Sequence, residues 1–316
     1  MGEFISPIVN ALETKSSREV IMEFVQQLIN GISLGSIYAL LALGYTMVYG
    51  IVKLINFAHG DILMLGAFIG YFVLTALGVT PATMLLAFVL SMGISACIGM
   101  FLERTCYKPL RNSPRIAALI TAIGVSTLLE NGARVVPFMG PNPKQYPGFE
   151  SVNFDFFGIN ISMVQITVLG VSIVLMLLLN YIINGTKMGK SMRATSFDMD
   201  AAYLMGINVN KVISFTFALG AALGAAGGIL YATAYPQVEP YMGMMPGLKA
   251  FVAAVLGGIG SVPGAMLGGY ILGIAETLTK GFISSKLADG VAFGILILIL
   301  VVKPSGLLGK NTNEKV

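Results

Sequence analysis

Between Asp61 and Glu103 the chain runs for 41 residues, Ile62 to Leu102, without a charge. Only one environment absorbs a run like that. Crossing ~30 Å of hydrocarbon takes ~20 apolar residues as a helix, because lipid offers no partner for an unpaired backbone group. This run is therefore long enough for two crossings. The stretch "ALGVTPAT" at 76–83 supplies the break, with Gly78 to turn the chain and Pro81 to open the next helix.

Other uncharged runs extend over Phe24–Val52, Phe156–Thr186, Val212–Val238 and Ala250–Ala275, with shorter ones at Ile116–Leu129 and Gly290–Val302. Composition agrees, at 56% hydrophobic and 11% charged residues, against about 25% charged in soluble domains. No segment alternates like a lipid-facing barrel strand. The pattern predicts an all-α integral membrane protein of about eight transmembrane helices. The expected spans are 28–50, 62–78, 82–102, 116–136, 163–183, 212–234, a glycine-rich segment over 247–280 that is broken or re-entrant, and 288–303.

Lysine and arginine collect in short cytoplasmic loops. The 103–115 loop holds Arg104, Lys108, Arg111 and Arg115, and the 185–211 loop holds Lys187, Lys190, Arg193 and Lys211. By contrast 137–162 has only Lys144 beside Glu150 and Asp155, and 236–246 has no basic residue. Loops 103–115 and 185–211 are thus expected inside. The tail with Lys303, Lys310 and Lys315 joins them if "GGIGSVPGAMLGG" (257–269) forms a hairpin that returns the chain to the face it came from.

Residues 1–21 form a polar N-terminal extension with no apolar core for a signal peptide. Gly2 and Ser6 formally match a myristoylation pattern, and Met22 would serve equally as a start. The remainder, 22–316, reads as one transmembrane domain. Two cysteines, Cys97 in a span and Cys106 in a loop, suggest neither a disulfide nor a metal site, and Cys97 reads as core packing. "GTKMGKS" at 185–191 imitates a phosphate-binding loop, but Asn184 stands where that motif needs its first glycine, and an apolar span precedes it. "GGIGSVPG" has the wrong spacing for a dinucleotide fingerprint. Many of the 38 glycines are spaced by four, as in Gly31/Gly35, Gly220/Gly224/Gly228 and Gly269/Gly273. That spacing makes a flat stripe for close helix packing, although a path lined by small residues would share it.

Polar residues at the edges of such runs are candidates for function. "INFAHGD" at 55–61 holds the single histidine of the chain. Asn56, His59 and Asp61 are read at the inner boundary, where a solvated interfacial position, a knot around a helix break, and a role in the gate or path all remain open. In the knot, Asn56 would cap and Gly60 would permit the turn. One histidine and one carboxylate make a poor metal site, so no metal is expected. Glu130 and Arg134 stand four apart, in the favourable order for a pair on one helix face. Charge inside a membrane is normally paired or turned to a cavity. Either a mutual salt bridge or a patch facing the path fits them. Glu276, with Lys280 four residues on, is read in the same way.

The 185–211 loop is long and basic, with helix-forming residues at 197–205 and Gly206 as a natural stop. Asp200-Ala201-Ala202, three residues, then Gly206 resembles the coupling motif of ABC importer permeases, with Asp in place of the usual Glu. Three blocks extend the likeness: "LINGISLGSIYALLALGYTMVYGIVKLINFAHGDILMLGAF" (28–68), "GKSMRATSFDMDAAYLMGINVNKVISFTFALGAALGAAGGIL" (189–230) and "LKAFVAAVLGGIGSVPGAMLGGYILGIAE" (248–276). In this order they resemble the LivH-type branched-chain amino acid permeases, over about residues 22–309.

The resemblance implies an importer of leucine, isoleucine and valine in the cell (inner) membrane. It implies a second homologous permease, two ATPase subunits that carry ATP and Mg, and an extracytoplasmic solute-binding protein. No nucleic acid and no cofactor in this chain are expected. Arg193, Asp200, Ala201, Ala202 and Gly206 would form the ATPase-coupling loop. Relatives that carry urea or short amides keep the solute open. A secondary transporter would need ion-coupling carboxylates at mid-membrane, where the sequence places almost none, and an intramembrane enzyme would need a nucleophile beside its base.

Overall fold

The computed structural model describes residues 17–309 apart from 55, 112, 149–151 and 157. Residues 1–16, and with them most of the N-terminal extension and the myristoylation pattern, lie outside the described residues, as do Lys310, Lys315 and Glu150.

The helices are α1 (Ser17–Val52), α2 (His59–Leu77), α3 (Pro81–Leu102), α4 (Arg115–Val135), α5 (Met163–Gly185), α6 (Lys187–Phe197), α7 (Met199–Leu204), α8 (Val209–Ala234), α9 (Met244–Gly257), α10 (Val262–Phe282) and α11 (Ala288–Val302). Among the described residues, seven helices are long and apolar enough to cross a membrane, and α9 is a shorter apolar helix. The break at Gly78 and Pro81 is built as expected: Gly78 has φ +78° and Thr80 and Thr83 form a capping box at the start of α3. The glycine-rich segment is broken at Gly258 to Ser261 into the antiparallel pair α9 and α10. α1 starts at Ser17, earlier than the span expected from 28, and runs through Met22 without interruption.

α1 lies at the centre, with 94% of its most apolar window buried, whereas the corresponding window of α11 is 17% buried. Its main partner is α10, and the glycine spacing shows how they meet. A methyl group added at Gly35 would stand 2.8 Å from the Tyr270 Cα, and one at Gly269 2.5 Å from the Ala39 backbone. Each helix presents its small residues to the other's backbone, the close approach that replaces hydrophobic drive inside lipid. α8, also largely buried, packs on α1, α2 and α3. There Ser91 Oγ donates to the Gly66 carbonyl at 2.9 Å.

One end of the bundle gathers the α1 terminus, where Gly50 approaches Gly260, together with the 103–111 turns, α6, α7 and the chain after α11. That last stretch is pinned beside the α9–α10 turn by Leu307 N–H to the Leu256 carbonyl and Leu308 N–H to the Gly257 carbonyl, each at 2.9 Å. The other end carries two small ribbons. β1 (Lys144–Gln145) pairs antiparallel with β4 (Gln237–Val238), and β2 (Asn153–Phe156) with β3 (Ile159–Ser162). Cys97, read as core packing, is instead exposed on α3.

Candidate functional site

Three polar constellations emerge, and the first is the helix break after α1. Lys53 takes φ +55°, the one non-glycine residue with positive φ among those described, and ends α1. α2 resumes at His59. Asn56 does not cap α2 with its side chain; its Oδ1 accepts a 2.6 Å bond from the Tyr107 hydroxyl, and its carbonyl accepts from the His59 N–H at 3.1 Å. Gly60 serves a close approach rather than an unusual turn: an added methyl would stand 2.6 Å from the Gly243 carbonyl oxygen.

The solvated interfacial position considered for His59 and Asp61 is not what the structure shows. Each side chain is 2% exposed. His59 stands against Gly44 in the body of α1 and Gly224 in the middle of α8, with the Tyr45 ring edge-on at 4.7 Å between centroids. The space left beside it, walled by Val48, Asn56 and Phe251, is about 10 Å³, no more than one water requires. The break is therefore packed inside the bundle with almost no free space around it. His59 Nε2 and Asp61 Oδ2 are buried with no hydrogen-bond partner among the described residues.

α4 forms the second constellation. Glu130 and Arg134 do not pair with one another. Arg134 donates to the Tyr241 hydroxyl at 2.7 Å and lies over that ring at 5.2 Å, while Glu130 and Ser126 face Asp61. Helical neighbours four apart compete with partners brought by other elements, and here the latter win. Thr127, Asn131 and Arg134 share the α4 face with Glu130 and are exposed on a helix whose most apolar window is only 22% buried. A polar stripe of this kind is costly against lipid.

The third lies in the 185–211 loop, folded into α6 and α7. Asp198 caps α7, its Oδ1 accepting from the Asp200 and Ala201 N–H groups at 2.9 Å each. Gly206 closes the helix with φ +82°, its N–H bonded to the Tyr203 carbonyl and the Ile207 N–H to the Ala202 carbonyl, both at 3.0 Å. These are the paired bonds of a Schellman motif, whose left-handed residue favours glycine. Ala202 is buried and Ala201 exposed, so the two alanines face opposite ways. Arg193 holds α6 to the end of α5 through the Ile183 carbonyl and Asn184. Around the cap Phe197, Tyr203, Leu204 and Met205 are 93%, 72%, 83% and 82% exposed. Gly189, part of the false phosphate motif, is packed onto the Ile182 and Ile183 carbonyls.

Two buried ionic clusters follow, of which the sequence reading includes only the Glu276 and Lys280 pair. Glu276 accepts from the Tyr38 hydroxyl (2.9 Å), Lys249 (2.7 Å) and Lys280 (2.6 Å), and Lys249 also meets Asp289 at 2.7 Å. Glu103 is fully buried, accepting from Ser214 at 2.6 Å and pairing with Arg111, which reaches Asn210 at 2.6 Å. Carboxylates are thus present inside the bundle, where the sequence suggests almost none. Lys249 stands just outside an uncharged run, so only the i,i+4 relation of Lys280 to Glu276 is visible in the sequence.

Comparison with known proteins now decides the family. Residues 27–300 match the model of the branched-chain amino acid transport system permease component. The chain belongs to this family. It is 44% identical over 309 residues to the high-affinity branched-chain amino acid transport system permease protein LivH of Escherichia coli, covering 94% of this chain and 99% of that one. It is 42% identical to BraD of Pseudomonas aeruginosa, described as the permease protein of the same kind of system, with the same coverage. A probable LivH of Methanocaldococcus jannaschii is 28% identical, over 87% of this chain and 89% of its own. These relatives are transport permeases rather than enzymes.

Proposed function

We propose that this chain is a membrane-embedded permease subunit of an ATP-driven importer for leucine, isoleucine and valine. The observation that carries ATP coupling is α7. A six-residue helix capped at both ends and ringed by exposed Phe197, Tyr203, Leu204 and Met205 is costly in water and gains by docking into a partner. A second protein with an apolar cleft is the fitting occupant, and in this reading it is the ATPase that binds ATP and Mg. The basic residues of 103–115 and 185–211 support a cytoplasmic position for this end of the inner-membrane protein, with the tail after α11 on the same side. The ribbons would then face the solute-binding protein.

The polar stripe of α4 fits a second homologous permease across a hydrated path. Asn56, His59 and Asp61 would shape the gate as a closed plug, opening when ATPase movement shifts the elements around them. Arg193 acts by holding α6 against α5, whereas Asp200, Ala201, Ala202 and Gly206 form the docking element. The test is uptake by the assembled importer carrying Gly206→Val or Asp200→Lys. Permease should still reach the membrane, ATPase subunits should no longer co-purify, and leucine uptake should vanish. Normal uptake by both variants would sink the docking role.

A further inference from the structure

At the ribbon end, beneath Tyr146 and Pro236, lies a cavity of about 650 Å³ walled by α1, α5, α8 and α10. It stands apart from the plug around His59 and from the α4 stripe. Its size falls within the range of ~300–1,000 Å³ typical of small-ligand sites. Its walls differ in character. Gln27, Asn30 and Gln165 form an amide wall, Val164 and Ala234 add half-buried apolar surface, and Lys280 is the charged residue among the lining groups.

The amide wall is a built network rather than a chance grouping. Gln165 Nε2 donates to Asn30 Oδ1 at 2.7 Å, and Asn30 Nδ2 donates to Gln27 Oε1 at 3.4 Å. Gln165 is itself locked into the capping box that starts α5, its Oε1 accepting from the Ser162 N–H at 3.0 Å. Among the described residues Lys280 is anchored by one contact, to Glu276 Oε1 at 2.6 Å, on an oxygen that Lys249 also uses. An ammonium has three donors, so two remain for an anionic group, and the Lys280 side chain is 39% exposed.

We infer that this cavity is a solute subsite within the permease itself, taking a zwitterionic amino acid with an aliphatic side chain. The carboxylate would meet Lys280, the ammonium the lone pair that Gln27 Oε1 keeps beyond its bond from Asn30, and the side chain Val164 and Ala234. A polar-walled hollow between helices is tolerable only if filled by water or a polar ligand. The amide and apolar walls together suit an amphiphile with one carboxylate better than urea, which carries neither charge nor hydrocarbon. This inference rests on the amino-acid importer reading and adds a holding site between the binding protein and the plug.

The test uses the whole importer in proteoliposomes, with Ser33→Cys in a Cys97→Ala, Cys106→Ala background. Ser33 lines the cavity and has no place in the docking loop or plug. A membrane-impermeant thiol reagent added from the ribbon side should label residue 33. Leucine without binding protein should slow that labelling about tenfold at ~10 times its dissociation constant, as mass action requires. Urea at the same concentration should not slow it, and Lys280→Gln should remove the protection. No labelling, labelling indifferent to leucine, or equal protection by urea would overturn the subsite. ATP-driven leucine uptake by the same vesicles separates the two ideas: if uptake persists while protection is absent, the subsite alone fails. Should Ser33→Cys not assemble, equilibrium binding of labelled leucine to the unmodified complex takes its place. Saturable binding that Lys280→Gln abolishes supports the subsite, and its absence overturns the proposal.

Discussion

Glu276 and Asp61 are equally hidden, each 2% exposed, yet their surroundings are opposite. Glu276 is saturated by a tyrosine and two lysines from three helices. Asp61 has one oxygen without a partner among the described residues and faces Ser126 and a second carboxyl group on the loosely packed α4. A closed ionic cluster welds α1, α9, α10 and α11 together. An incompletely satisfied one can persist only where the surroundings over-determine it, as at elements that rearrange. The molecule thus separates a half built on α1 and α10, whose buried charge is fully paired, from a face between α2 and α4, whose buried charge is not.

That contrast can be broken by mutation. The largest loss is expected at the weld itself. Gly273→Leu drives a side chain into the Gly35 backbone and should cost about 3 kcal/mol or more, read as loss of folded permease from the membrane. Glu276→Gln leaves the buried Lys249 with only the half-exposed Asp289 as partner and Lys280 with no carboxylate, and should cost about 3 kcal/mol, seen as a lowered thermal midpoint in detergent. Asp61→Asn should cost less than ~1 kcal/mol in the same assay, because its unpartnered oxygen has little to lose, but it should depress uptake. Equal destabilisation by Asp61→Asn and Glu276→Gln would erase the distinction. Asp198→Ala removes the α7 cap and should cost about 1 kcal/mol with partial loss of uptake, measured beside ATPase co-purification. Smallest is Tyr241→Phe, which removes one exposed hydrogen bond from Arg134 and should shift the midpoint by less than the equivalent of ~1 kcal/mol.

Sequence exposes the α1–α10 half more fully than the α2–α4 face. The uncharged runs locate the spans because lipid forbids unpaired backbone, and the break at Gly78 and Pro81 follows from local turn chemistry. Four-residue glycine spacing on α1 and α10 foretells packing, although not which helix meets which. α7 is legible from Gly206, since its left-handed φ is a local demand. The links Glu276 to Lys249 and Glu130 to Asp61 are not legible, because they join helices distant in the chain. The Glu130 and Arg134 pair shows the cost of reading one helix alone: the favourable spacing exists, but Tyr241 and Asp61 offer better partners. His59 misleads for a related reason. A break between two spans reads as a boundary, whereas the chain folds it back among Gly44 and Gly224.

The most direct test of the importer account is accumulation of labelled leucine by vesicles that contain this chain with its co-purifying subunits and the binding protein. Accumulation against a gradient only when ATP is present on the α7 side is the predicted result. Uptake that ignores ATP and follows an imposed ion gradient would contradict it.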